Sequence, residues 1–258
     1  MRLCRFRHGD AVRYGSLEHD SVQPFEGDLF GDRRPAGQSI PLAEVRLLAP
    51  VIPRTVLAAA VNYQSHLPSG RAVLKDDDAP DIPQLFLKPA SSVVGRGDTI
   101  VLPRGARRVD AEGELVAVIG QPCRKVSEAE ALDYVLGYTC GNDVSARHWQ
   151  RDDLQWWRAK GADTFTPLGP AIATDIDPAN VMLRVRVNGE ERQASRTDQL
   201  IHGIAKMIAF ASEVMTLEPG DVLFTGTPGE PPKLEDGDRV EVEIEGIGTL
   251  TNPVRRDA

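Results

Sequence analysis

Two glutamates separated by one glycine stand out first: Glu112 and Glu114 in Val109-Asp110-Ala111-Glu112-Gly113-Glu114, just ahead of the apolar run Leu115 to Ile119. On a strand, residues two apart project from the same face, so both carboxylates would point together. Like charges held that close are unfavourable unless a cation neutralises them. A lone pair of this kind more often marks a solvated strand edge, because exposed acids are common. Asp143 shifts that weighing, since it closes the apolar and small-residue stretch beginning at Gly137. Three carboxylates from separate segments make an oxygen-rich set suited to Mg²⁺ or Mn²⁺. Asp110 shares the strand parity of Glu112 and Glu114 and remains a competing ligand. The five histidines are scattered, with neither an HxxxH nor an HExxH spacing, so a zinc-hydrolase pattern is absent from the sequence.

The elements that must carry these acids read as mostly strand. Val56 to Val61 is an apolar run short enough for a buried strand, and Gln84 to Lys88 and Val109 to Ile119 read as further strands. Between them, residues 65–83 form a Pro- and Asp-rich stretch too long for a simple connection, a lid candidate. Ser127 and Glu130 make a capping box that predicts a helix through about Leu136. The Trp-rich segment from Asp152 to Ala159 reads as helical. Asn188-Gly189 after an alternating arm predicts a hairpin turn. Thr197 and Asp198 can cap a helix with apolar positions at Leu200, Ile201, Ile204, Met207, Ile208 and Ala211. Val222 to Phe224 and Val240 to Ile244 complete the strands. The fold class is therefore α+β and β-dominated, with a small strand-rich N-terminal lobe over 1–50 and a larger domain over 51–258.

Composition narrows the partners. Lys plus Arg number 30 against 38 Asp plus Glu in 258 residues, a formal charge of −8. A nucleic-acid binder needs a basic face to displace counterions, so bulk polyanion binding is excluded, though a local basic pocket is not. No run approaches the roughly 20 apolar residues of a membrane span, and the charged N-terminus lacks a signal-peptide core. Three widely spaced cysteines without a CxxC fit a reducing compartment. The expectation is a cytoplasmic protein with no nucleic-acid or membrane partner.

Six segments in order carry a resemblance: Asn62-Tyr63-x-x-His66, Phe86-Leu87-Lys88-Pro89, Glu112-x-Glu114, Asn142-Asp143-Val144-Ser145-Ala146-Arg147, Lys160-Gly161-Ala162-Asp163-Thr164, and Thr225-Gly226-Thr227-Pro228-Gly229. Over roughly Arg54 to Val254 the chain resembles the fumarylacetoacetate hydrolase family, in particular its 2-hydroxyhepta-2,4-diene-1,7-dioate isomerase and acylpyruvate hydrolase-like members. The resemblance implies a core of rolled mixed sheets, a homodimer, and Mg²⁺, or Mn²⁺ or Ca²⁺ in its place. It implies Glu112, Glu114 and Asp143 as metal ligands and His66 and Lys160 as catalytic residues. Lys88, Arg147, Gln150 and Thr227 are the implied contacts to a small anionic 2-oxo acid.

The implied chemistry is C–C hydrolysis of an acylpyruvate-like acid through a stabilised enolate, followed in rank by tautomerisation or decarboxylation, then by a lyase or hydratase reaction. A catalytically idle dimer that binds a metal and a 2-oxo acid is the alternative of another class. Two departures bear on this order. Many members carry a Glu three residues after the catalytic His, where this chain has Ser69, so His66 lacks that orienting carboxylate unless a lid acid such as Asp76 or Asp77 substitutes. His148 stands where many relatives have Asp.

Overall fold

The computed structural model of the protein describes residues 1–70 and 79–257. Much of the 65–83 lid candidate, with Asp76 and Asp77, lies outside the described residues. A 13-stranded sheet runs along Arg33–Pro35, Ser21–Gly27, Ala11–Leu17, Arg2–His8, Thr166–Ala173, Val135–Asn142, Gly113–Ile119, Val222–Phe224, Val56–Ala60 and Gln84–Lys88, with three short strands on its flanks. The N-terminal strand Arg2–His8 enters this sheet by pairing Leu3 with Ile172. A five-stranded sheet of Ile100–Leu102, Gly248–Arg256, Arg239–Ile244, Met182–Val187 and Glu190–Arg196 packs against it. Among the described residues no helix is long and apolar enough to cross a membrane.

The strand Gly113–Ile119 is buried at every position, which explains its unbroken apolar run. Its alternation divides two cores. Leu115, Ala117 and Ile119 join a cluster with Val185 and Val242 of the second sheet and Met207 and Ile208 of the helix Ile204–Val214. Val116 and Val118 face the other way, onto Phe224, Val56 and Leu168. Glycines let neighbours close in on this strand: a Cβ on Gly113 would stand 2.3 Å from Val185 Cγ2. On the partner strand, a Cβ on Gly141 would stand 2.4 Å from the Phe224 ring and 2.5 Å from Val116.

Four local expectations are corrected. Val109 to Ile119 is not one strand. Val109–Asp110 pairs with Ser145–Ala146 and Lys233–Leu234 in a separate three-stranded sheet. The chain turns at Ala111, whose N–H donates to Pro232 O at 2.9 Å, and Glu112 N–H donates to Asn142 Oδ1 at 2.9 Å. Parity is broken there, so Asp110 does not share a face with Glu114. The Ser127 and Glu130 pair does bond, Ser127 Oγ donating to Glu130 Oε2 at 2.6 Å, but only the 3-10 turn Ala131–Tyr134 follows. Val135–Asn142 is drawn into the central ladder instead.

The helix expected from Thr197 begins at Ile204, because the segment before it is bonded to Asn62. Asn62 O accepts from Ile201 N at 2.9 Å, and its side chain exchanges bonds with both backbone groups of His202. The Trp-rich segment forms two short helices, Arg147–Asp152 and Trp157–Gly161, broken at Trp156 with φ 55. The Asn188-Gly189 hairpin forms as expected, with φ 55 and 83.

Because the Gly141 contacts are against a ring and a strand side chain rather than flexible tips, Gly141→Ala should cost about 1–3 kcal/mol by overpacking. The measurement is urea unfolding followed by tryptophan fluorescence; a midpoint equal to the parent's would contradict the packing described.

Candidate active site

Sheet pairing assembles the acids. Asp143 N–H donates to Glu112 O at 2.8 Å at the end of the ladder between Gly113–Ile119 and Val135–Asn142. Glu114 sits opposite Gly141 in that ladder, and its Oε2 accepts from Gly226 N–H at 2.5 Å. One oxygen from each of Glu112, Glu114 and Asp143 lies within 4.8 Å of the others, and all three residues are buried. Carboxylate oxygens alone, converging at that spacing, suit a hard divalent cation.

Cations from three further segments surround the acids. Lys160 Nζ donates to Glu112 Oε2 at 2.6 Å and to Asp143 Oδ2 at 2.5 Å. Arg147 Nη2 donates to Glu112 Oε1 at 2.5 Å, and Ser145 Oγ to Glu112 Oε2 at 3.0 Å. Lys88 Nζ is bonded to Asp143 and to Phe165 O. Asp110 stands outside the acid cluster: it accepts from Arg108 Nε at 2.9 Å and from Arg147 Nε at 2.8 Å.

Burial works against every one of these charges, and the neighbours decide which survive. For Glu112 the burial penalty is outweighed by Arg147 and Lys160, which hold its carboxyl well below the usual range. Glu114 goes the other way: burial, then the carboxylates of Asp143 and Glu112, push it well above that range. Lys160 overcomes burial through Asp143 and Glu112 and is raised. In Lys88 burial prevails over the attraction of Asp143, and its pKa is lowered.

A cavity of about 350 Å³ opens onto this cluster, lined by Glu112, Glu114, Lys160, His66, Arg147, Gln150 and Thr227. Lys88 is not in the lining; its side chain is 0% exposed and braces Asp143. Gln150 Oε1 accepts from Arg147 at 3.0 Å. Thr227 Oγ1 lies 2.9 Å from Gly113 O, to which it donates, so its hydroxyl hydrogen points to the backbone rather than into the cavity. Trp156 lines the cavity edge-on to Phe86, whereas Trp157 is exposed and Trp149 carries Arg158 on its ring.

Residues 55–255 match the family model described as fumarylacetoacetate (FAA) hydrolase, C-terminal, and residues 1–50 one described as Rv2993c-like, N-terminal. The chain belongs to the fumarylacetoacetate hydrolase family. Its fold matches the crystal structure of 5-carboxymethyl-2-hydroxymuconate delta-isomerase from Mycobacterium smegmatis with a TM-score of 0.92, at 49% identity and full coverage of both chains. The mitochondrial oxaloacetate tautomerase fahd2 of Xenopus laevis is 41% identical over 225 residues, 82% of this chain and 69% of that protein. Maleylpyruvate hydrolase from Sphingobium sp. SYK-6, solved with manganese(II) and pyruvate, matches with a TM-score of 0.82 at 32% identity, again over both full chains.

Within this family framework, several residues of the site escaped the sequence. Gln193 sits in a hairpin strand far along the chain, yet its Nε2 donates to Thr227 Oγ1 at 3.1 Å and to Pro228 O, bracing the Gly-rich turn. Gly229 contributes only its backbone, which no sequence pattern announces. Ser145 was visible only as part of a motif.

Glu114 and Lys88 yield opposite expectations. Glu114→Gln keeps the shape and removes a charge that burial and the neighbouring carboxylates disfavour, so urea stability at pH 7 should stay near the parent's while Mn²⁺ affinity by calorimetry falls at least about tenfold. Lys88→Met leaves Asp143 without one of its buried partners and should cost about 3–5 kcal/mol in the same unfolding measurement.

Proposed function

We propose that the chain is a divalent-metal-dependent enzyme that moves a proton on a 2-oxo acid or its enol, acting as a tautomerase or isomerase. The observation that carries this reading is the His66 ring. Its Nδ1 lies 2.6 Å from Gly229 O, which can only accept, so Nδ1 holds the proton. Nε2 is then the lone-pair nitrogen of a histidine that lines the cavity beside Lys160 and Glu112. Burial lowers the His66 pKa from its ordinary 6.5, keeping the ring neutral and basic at pH 7.

Glu112, Glu114 and Asp143 would hold Mg²⁺, with Mn²⁺ or Ca²⁺ acceptable to the same oxygens. The manganese and pyruvate bound by the related maleylpyruvate hydrolase support the pairing of such an ion with a 2-oxo acid. A divalent cation there supplies Lewis-acid stabilisation of the charge that develops on the 2-oxo oxygen. His66 Nε2 takes a proton from the carbon next to the 2-oxo group and returns one at the oxygen or at a more distant carbon. Lys160 places a buried ammonium where the enolate charge grows. Arg147 and Gln150, bonded to each other, present donors to the substrate carboxylate.

C–C hydrolysis of an acylpyruvate-like acid is the second reading, because the same Nε2 could take its proton from water and a full-length relative is a maleylpyruvate hydrolase. The wider proposal is a cytoplasmic homodimer whose 1–50 lobe supports a 51–258 catalytic domain. The dimer is supported by Leu154 and Trp157, exposed large apolar side chains just before and at the start of the helix that carries Lys160.

The test strips the protein with chelator, restores Mg²⁺ or Mn²⁺, and supplies oxaloacetate enol and acylpyruvates, with products resolved by mass. Metal-dependent enol–keto exchange is expected; release of pyruvate from acylpyruvates would favour hydrolysis, and silence on every substrate would leave an idle binder. Activity should require neutral His66, so kcat holds at pH 7 and falls only as pH drops through a value below the ordinary 6.5. His66→Gln should lower kcat by roughly 10²–10⁴-fold and remove that acidic limb.

A further inference from the structure

Asn62 is 2% exposed and lies outside the cavity lining, yet its amide is used at both ends. Oδ1 accepts from His202 N–H at 2.8 Å, while Nδ2 donates to His202 O at 2.9 Å and to Thr225 O at 2.8 Å. The backbone just before it is strained. Val61 follows the strand Val56–Ala60 with φ 51, a left-handed conformation that a β-branched residue adopts only where its surroundings impose it. From that bend the chain runs to His66 through a turn closed by His66 N–H donating to Tyr63 O at 2.9 Å.

Two stretches, 62–66 and 225–229, are thereby joined at both ends. Asn62 meets Thr225 at one end. At the other, His66 Nδ1 donates to Gly229 O at 2.6 Å and Gly229 N–H donates to Ser65 Oγ at 3.0 Å. A Cβ on Gly226, where φ is 103, would stand 2.8 Å from Asn62 Cβ, so glycine is what lets the two stretches close in. The turn also has anchors of its own on the strand that carries Glu114. Thr225 N–H and Oγ1 both donate to Leu115 O, at 3.1 and 2.8 Å, and Thr227 Oγ1 donates to Gly113 O. Removing the Asn62 amide therefore loosens 62–66 but leaves the turn, and Gly226 N–H on Glu114, in place.

We infer that Asn62 is a positioning residue for His66: its amide holds the strained bend against the Gly-rich turn, so that the ring meets Gly229 O in a single tautomer and keeps Nε2 as the lone-pair nitrogen. The effect on rate rests on the proton-transfer reading of His66; the effect on the tautomer does not. A reacting group misplaced by about 1 Å can lose about 10²-fold in rate, so an amide that touches no substrate can still govern turnover.

The experiment compares the parent with Asn62→Ala and with Asn62→Asp, which keeps the size and the acceptor but loses both donors. Imidazole nitrogen NMR on Mg²⁺-loaded protein reads the tautomer, the His66 signal among the five histidines being the one missing from His66→Gln. The parent should show the Nδ1–H tautomer alone, and both variants a mixture of the two. Their kcat for enol–keto exchange should fall about tenfold to a hundredfold, with KM and calorimetric Mn²⁺ affinity held within about threefold. Variants that keep the single tautomer or the parent's kcat, lose Mn²⁺ affinity in step with kcat, or fail to fold would overturn the positioning role and leave the proton-transfer reading standing. A parent with the single tautomer but no activity on any 2-oxo acid would overturn that reading, and mixed tautomers in the variants would still carry the positioning role.

Discussion

Three carboxylates held within 4.8 Å of one another and out of water are the constraint around which this molecule is arranged. Isolated, such charges could not be buried. Each is therefore matched or neutralised by a group from another part of the chain: Lys88 and Lys160 on Asp143, Lys160 and Arg147 on Glu112, and the Gly226 N–H on Glu114. The partners come from a sheet edge, two short helices and a Gly-rich turn, so the acids tie those elements to one point. The same set leaves Glu114 as the member pushed toward its neutral form. Among the described residues none of those three cations bonds Glu114, which leaves that carboxyl open to a further cation.

Among the described residues, the histidine proposed as the base is oriented by the backbone rather than by a carboxylate. His66 Nδ1 meets Gly229 O, while Gly229 N–H donates to Ser65 Oγ at 3.0 Å, so the peptide groups on both sides of Gly229 are bound by consecutive residues. Gly229 has φ 59, in the left-handed region where glycine carries no Cβ penalty. A carbonyl fixes the tautomer without adding negative charge beside the ring. The ring is then disposed to stay neutral, as the proposed enol–keto chemistry requires.

Around the acids the cavity is uneven. Arginines and small apolar and aromatic side chains all line it, and Gln193 secures the Gly-rich turn that carries Thr227. That mixture can orient the proposed acid, because only its charged end is matched by the inner cluster.

Much of the site was legible in the chain. Glu112, Glu114 and Asp143 announced themselves because buried-looking acids beside apolar runs demand a partner, and Gly-rich and hairpin turns were visible through residues that tolerate positive φ. The central strand followed from its short unbroken apolar run and the Asn188-Gly189 hairpin from period-2 patterning beside a turn pair, both properties of local sequence. Other features depended on groups far apart in sequence. Asp110 has the same parity as the two glutamates, and only the bend at Ala111, made by bonds to Pro232 and Asn142, removes it from the cluster. Lys88 reads like any lysine near a motif until its ammonium is seen buried against Asp143. Thr197 looks like a helix cap, yet Asn62 draws the following residues away. Residue types and short spacings thus determined which chemistry the chain can support. Hydrogen bonds across long stretches of chain decided which side chains take part, because a buried charge is satisfied by whatever folding brings beside it.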